Sequence, residues 1–163
     1  MAFWEGQGVA VARVIVDEPG VGGGVVDSAR RSGVPITPYH GGESLKQGKD
    51  PEADIRMFAN RRARDYWHVR RLFELGMVSI IDDETTVNQL ATVQYDYNER
   101  DKIQVESKSK MRDRLGDEAS PDRADVIVMG LAPHYSFKNA NAIIHEDDLF
   151  FGEDRPTAEA DLL

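Results

Sequence analysis

Two acids close an apolar run. Val9-Ala-Val-Ala-Arg-Val-Ile-Val16 is followed by Asp17 and Glu18, and then by the turn Pro19-Gly-Val-Gly-Gly-Gly24. The run is nearly continuous in Val, Ile and Ala, which reads as a strand covered on both faces. A carboxylate at the carboxyl end of such a strand is where open α/β sheets place ligands. Far along the chain, Asp125 stands in a second apolar stretch, where its i+3 and i+4 neighbours are Val128 and Met129. A charge beside a buried helix face is costly unless it is paired or metal-bound. Asp122 lies one turn earlier on roughly the same face. Each acid also has a plainer reading. Asp17 suits a surface strand end, and an acid such as Asp122 in a first helical turn complements the helix dipole. Taken together, a strand-end acid and a helix acid have the oxygen chemistry to bind one or two magnesium or manganese ions. Such ions activate water for in-line attack on phosphate.

The glycine-rich turn does not carry a nucleotide motif. A dinucleotide fingerprint needs G-x-G-x-x-G after the strand. Counted from Gly20 the last position is Val25, and counted from Gly22 it is Asp27. No Lys-Ser or Lys-Thr follows to make a Walker A loop. A tight strand-to-helix turn accounts for these glycines, which tolerate positive φ and close backbone approach.

Basic residues gather in two places. Arg56, Arg61, Arg62, Arg64, Arg70 and Arg71 crowd one predicted helix with Trp67, and Lys102, Lys108, Lys110, Arg112 and Arg114 crowd a later segment. The commoner meaning of such clusters is a solvated amphipathic surface. The other is contact with nucleic-acid phosphates. A net charge of -9 argues against simple electrostatic affinity for nucleic acid. The charge is uneven, however. From His145 to Leu163 there are seven acids and one base, so the rest of the chain is close to balanced and can carry a local basic surface.

Composition bounds the remaining choices. A chain of 163 residues with 40% hydrophobic and 30% charged residues suits one domain with a core. Mean hydropathy is -0.49, and no apolar stretch approaches the roughly 18 residues of a membrane span. The N-terminus has no basic segment followed by an apolar core, so it does not read as a secretory signal. There are no cysteines, which excludes disulfides and thiolate metal sites. His40, His68, His134 and His145 fall into no metal-ligand spacing.

The elements that must position these residues follow from periodicity and breakers. A strand over Val9–Val16 leads to a short helix from Gly24 to Ser32, stopped by Gly33. Val34–Tyr39 is extended, and its prolines mark a strand end or edge. This order implies a parallel pair with a crossover helix. A loop from His40 to Pro51 precedes a long helix over Glu52–Leu75. Ile55, Ala59, Ala63, Tyr66, Val69 and Phe73 make its inner stripe; Arg56, Asn60, Arg64, His68 and Arg71 make the opposite face. Met77–Ile81 reads as a short strand. Asp83 caps a helix to about Gln94, and Gln94–Tyr97 with Lys102–Glu106 form a hairpin across Asn98–Asp101. Ser107 caps a basic helix ending near Gly116. Ser120 with Pro121 predicts a last helix, with Ser at the N-cap and Pro at the first helical position, running to about Ala132.

Four stretches resemble the C-terminal nuclease domain of the large subunit of tailed-phage terminases. They are Val16-Asp-Glu-Pro-Gly-Val-Gly-Gly-Gly-Val-Val-Asp27, Met57-Phe-Ala-Asn-Arg-Arg-Ala63 before Tyr66-Trp67, Val105-Glu-Ser-Lys108 before Met111-Arg112, and Ser120-Pro-Asp-Arg-Ala-Asp125. Their order and approximate spacing match that family over about residues 9–132. The resemblance implies an α/β, RNase H-like fold, a mixed sheet flanked by helices. It implies a divalent-metal endonuclease in the host cytoplasm that cuts concatemeric viral DNA during genome packaging, with Mg2+ or Mn2+ at a two-metal site. The implied partners are double-stranded DNA, the terminase ATPase domain or an upstream fragment, the small terminase subunit and the portal. The family's acidic cluster maps onto Asp17 and Asp125, with Glu18 and Asp122 as fallbacks. Glu106, Lys108, Arg61, Arg62 and Arg112 are expected to line the site or contact DNA.

The chain departs from this pattern at its start. The family's fold begins with a hairpin whose first strand carries the first catalytic aspartate, and residues 1–8 contain only Glu5. The expected organisation is a partial nuclease domain over residues 1–145, lacking that first hairpin, with an acidic, disordered tail over 146–163. The chain then reads as the C-terminal piece of a terminase, with weak or absent cleavage by itself. Two other readings stand beside the enzyme. One is a non-catalytic remnant or split-gene piece that only binds DNA or packaging proteins. The other is an unrelated small-molecule α/β protein using the glycine turn.

Overall fold

The computed structural model describes residues 14–18, 22–34, 36–116 and 119–132. Its elements run β1 (Ile15–Asp17), α1 (Gly22–Arg31), β2 (Thr37–Tyr39), α2 (Glu52–Met57), α3 (Arg61–Glu74), α4 (Glu84–Thr92), β3 (Tyr95–Tyr97), β4 (Ile103–Val105), α5 (Lys108–Leu115) and α6 (Asp122–Leu131). Most of the expected strand before Ile15, and the whole expected tail from 146 to 163, lie outside the described residues.

β1 and β2 pair in parallel, with Ile15 opposite Thr37, Val16 opposite Pro38 and Asp17 opposite Tyr39. Thr37 N–H donates to the Val14 carbonyl at 2.8 Å, and Glu18 N–H to the Tyr39 carbonyl at 3.0 Å. Pro38 lies between these inward-facing residues, so its missing donor falls on the side away from β1. α1 makes the crossover that a parallel pair requires. β3 and β4 form an antiparallel hairpin, Tyr95 opposite Val105 and Tyr97 opposite Ile103. Its turn is held by the Asn98 side chain, which accepts from Arg100 N–H at 2.9 Å and Lys102 N–H at 3.1 Å. Asp101 takes the positive φ of 53° that closes it.

The long helix expected over Glu52–Leu75 is two helices. Phe58 leaves the helix in an extended conformation and bridges in parallel to Ile103, while Ala59 N–H donates to the Ile103 carbonyl at 2.9 Å. Asn60 then restarts the chain as N-cap of α3, accepting from Ala63 N–H at 3.0 Å. Phe58, Ala63 and Ile103 are the buried centre of the resulting cluster, with Leu45, Met57, Trp67 and Val105 packed on it. Trp67 extends the cluster edge-to-face onto Tyr95, ring centres 5.1 Å apart.

The outer face expected on α3 is also not all solvated. Arg64 and Asp65 are buried. Arg64 pairs with Asp65 at 2.7 Å and Asp50 at 2.6 Å, and the Tyr39 hydroxyl donates to Asp65 at 3.0 Å. Burial pushes the Asp65 carboxyl up, against the pull of Arg64 and Tyr39. Paired ions can occupy such a face only because each satisfies the other.

Two smaller expectations are corrected. Met77–Ile81 forms no strand: Met77 N–H is taken by the Leu72 carbonyl at 2.9 Å, closing the end of α3, with Gly76 at φ 65°. Ser120 is not the N-cap of α6. Pro121 occupies that position without a side-chain cap, and the Ser120 hydroxyl donates instead to Asp122 at 2.7 Å. The free N–H groups of Arg123 and Ala124 are satisfied by Gln89 Oε1 of α4, at 2.8 and 3.2 Å. Asp83 and Ser107 do cap α4 and α5. Hydrogen bonds from Thr86, with Arg123 beside it, hold the Asp83 carboxyl down at about 2.

Phe58 joins both halves of the broken helix to the hairpin. Phe58→Ala is expected to cost about 3–5 kcal/mol in urea unfolding, and Phe58→Leu much less, because it keeps most of the volume.

Candidate functional site

The parallel register brings both strand ends to one edge. Asp17 stands exposed at the end of β1, opposite Tyr39. The next residue, Glu18, turns to His40 and pairs with its Nε2. The chain after β2 then packs on the start of α3: Arg62 N–H donates to the Gly41 carbonyl at 2.8 Å and Arg61 N–H to the Glu43 carbonyl at 2.9 Å. The packing at Gly41 is close. A Cβ at this position would meet the Tyr39 ring at 3.1 Å and Arg62 Cβ at 3.3 Å.

α3 and α6 supply the opposite wall. Asp125 lies in the first turn of α6, where the helix dipole favours a carboxylate. Its Oδ1 accepts from Tyr66 OH at 2.7 Å and from Arg62 Nη2 and Nε at 3.1 and 3.3 Å. Arg62 and Tyr66 are one turn apart on α3, and the guanidinium lies over the Tyr66 ring, 4.9 Å from its centre. The third arm of the guanidinium, Nη1, donates to the Glu106 carbonyl at 2.7 Å. Burial first, and the Asp125 charge second, push the Tyr66 phenol up, so it is a proton donor at neutral pH.

Lys108, the first residue of α5, completes the wall. Its Nζ is 2.8 Å from Asp122 Oδ1 and 3.4 Å from Asp125 Oδ2. Burial works to lower the Lys108 pKa, but the two carboxylates outweigh it and raise it. Hydrogen bonds from Lys108 and Ser120 lower that of Asp122. Asp17 is shifted the other way. Partial burial and then the charge of Asp125 push its carboxyl up, while Lys108, Arg62 and His40 pull it down. The strand-end acid and the helix acid therefore share one electrostatic neighbourhood.

The other residues singled out from the sequence are placed as follows. The Glu106 carbonyl reaches the site through Arg62, but its carboxylate turns away to Arg114 at 2.6 Å and to Gln94 N–H at 2.8 Å. Arg61 lies over the Tyr39 ring at 4.5 Å and pairs with Asp65 at 3.4 Å, within the buried cluster. Arg112 is exposed on α5. Tyr66 and His40 were not foreseen as site residues. The signals for Tyr66 are its i+4 spacing from Arg62 and its place in one of the four stretches, and the core stripe absorbed it. Among the described residues, no group of three or more His, Asp or Glu stands close enough to hold an ion.

Because the Asp17 pKa is raised in the fold, its protonated form favours folding and its charged form opposes it. Asp17→Asn is therefore expected to melt higher than the unaltered chain at pH 7 without divalent ions. The gap should close as the pH falls through the carboxylate range, which thermal melts at pH 7 and at about pH 3.5 will show.

Neither a protein-family model nor a curated protein sequence matches this chain. Solved structures do. The nuclease domain of the large terminase subunit gp2 of bacterial virus Sf6 superposes with a TM-score of 0.63 at 22% identity, covering 81% of this chain and 69% of that one. A lysine-to-alanine mutant of that domain with manganese gives 0.62 at 22%, covering 81% and 70%. A mutant form from the same virus with calcium gives 0.63 at 21%, covering 81% and 69%. This likeness establishes the architecture: the chain has the RNase H-like fold of a terminase nuclease domain.

Proposed function

We propose that this chain is a nuclease piece of a phage DNA-packaging terminase, a hydrolase acting on double-stranded DNA with Mg2+ or Mn2+. The observation that carries the reading is the setting of Asp125, a carboxylate in the first turn of α6 held on one oxygen by Arg62 and Tyr66 with Lys108 beside the other, and Asp17 is its expected partner. The two acids come from a strand end and a helix far apart in the chain, and the charge of one raises the pKa of the other. The fold shared with a terminase nuclease domain, and the manganese and calcium in forms of that domain, support it.

The donor set fits a hard divalent cation. It is all oxygen, and a bound cation would relieve the repulsion through which the Asp125 charge pushes the Asp17 carboxyl up. Asp17 and Asp125 would hold the ion, with Glu18 and Asp122 as the nearest substitutes. When bound, the ion would activate a water and neutralise charge on the phosphate. The protein's own residues do the rest. Arg62 and Tyr66 orient Asp125. Lys108 sets a fixed positive charge beside Asp122 and Asp125, where a phosphate would approach. Exposed Arg112 and the other cations of α5 offer backbone contacts to DNA. The ATPase domain, the small subunit and the portal are the partners this reading implies.

One observation favours a second reading, a piece that binds DNA or packaging proteins without cutting. Asp125 is already engaged within the chain, by Arg62 and Tyr66 on one oxygen and by Lys108 near the other. Supercoiled plasmid, with and without Mn2+, separates the two. The nuclease reading expects slow, Mn2+-dependent nicking that Asp125→Asn and Asp17→Asn each abolish. DNA binding without nicking would establish the second reading. A folded chain that binds neither Mn2+ nor DNA would overturn both.

A further inference from the structure

We propose that Arg62 and Tyr66 are positioning residues that make Asp125 a one-oxygen ligand, and that they thereby set which divalent ion the site prefers. The inference rests on the metal reading above and adds to it a determinant of selectivity. Three donors converge on the same atom: Tyr66 OH at 2.7 Å, Arg62 Nη2 at 3.1 Å and Arg62 Nε at 3.3 Å all reach Asp125 Oδ1. A carboxylate oxygen offers about two lone-pair sites, so Oδ1 is saturated. Oδ2 faces the other way, toward Lys108 Nζ at 3.4 Å.

The clamp is itself held still. Arg62 Nη1 is tied to the Glu106 carbonyl at 2.7 Å, the guanidinium lies over the Tyr66 ring, and the Arg62 backbone is bonded to Gly41. Asp125 cannot swing to present both oxygens without breaking charge-assisted bonds. Calcium takes six to eight oxygens and often a carboxylate in bidentate fashion, whereas magnesium needs a small octahedral shell, and manganese also suits octahedral oxygen. A carboxylate fixed to one oxygen therefore favours the smaller ions over calcium. A purely electrostatic role for Arg62 predicts something else. Its charge alone would repel every divalent ion alike, and a lysine in its place would do the same.

The test is calorimetric titration of the full chain with MnCl2 and separately with CaCl2. The variants are Arg62→Lys, Tyr66→Phe and Asp125→Asn, each checked for folding by its thermal melt. Outer-sphere partners of a ligand are typically worth about 10–100-fold in metal affinity. Arg62→Lys and Tyr66→Phe are expected to weaken Mn2+ binding by roughly tenfold and Ca2+ binding by less, so the preference for Mn2+ falls; Asp125→Asn loses both ions. Equal shifts for the two ions, or none, in Arg62→Lys and Tyr66→Phe would overturn the proposal while leaving the metal site intact. Absence of Mn2+ binding by the unaltered chain, or full binding by Asp125→Asn, would instead bring down the metal reading beneath it. Should Arg62→Lys fail to fold, Tyr66→Phe, which removes one hydroxyl, decides the matter.

Discussion

One guanidinium joins the parts of this site. Arg62 holds the α6 carboxylate of Asp125 with two nitrogens, the carbonyl after β4 with the third, and the chain after β2 through its backbone. Its planar fork allows this; a lysine ammonium, a point charge on a flexible stem, does not hold such a geometry. Asp125 is largely buried at 17% side-chain exposure, as is Arg62 at 19%. Breaking one partner of such a pair leaves the other charge without compensation, which is more costly than never having buried the pair. The local charge is nearly balanced, because Asp122 and Asp125 pair with Arg62 and Lys108.

α3 carries two charge systems of different character. Arg62 and Tyr66 look toward the strand-end acids. Arg64 and Asp65 look toward Tyr39 and Asp50 and are buried, and Arg61, partly exposed, joins them through Asp65. The second system is a support. It fixes the rotation of α3 about its axis, and that rotation decides whether Arg62 points at Asp125. The two systems meet at the backbone of residues 39–43, where Tyr39 belongs to one and Gly41 to the other.

Much of this was legible in the residues themselves. The strand-end acid and the helix acid stood out because each interrupts an apolar pattern. The hairpin announced itself by the Asn98–Asp101 turn, and Asp83 and Ser107 by their capping positions. What was not legible depended on distant partners. Neither glycine nor proline breaks the helix at Phe58; Asn60 is the one local signal, as the N-cap of α3, and the pairing of Phe58 with Ile103 is long-range. Gln89 caps α6 from another helix, a role no local pattern encodes. Glu106, expected to line the site or contact DNA, reaches Arg62 through its carbonyl, while its side chain pairs with Arg114. Tyr66 fitted the apolar stripe so well that its hydroxyl went unnoticed.

The short link between β4 and α5 has a consequence for how this chain tolerates change in length. Glu106 must place its carbonyl on Arg62, and Lys108, two residues on, must place its ammonium between Asp122 and Asp125. One inserted residue there would rotate α5 by about 100° relative to β4 and turn Lys108 away from both acids. The turn at 98–101 has no such obligation, since it only closes a hairpin in solvent. Variation in length among relatives should therefore collect at the hairpin tip and be excluded from the link, even though both are short connections without regular structure.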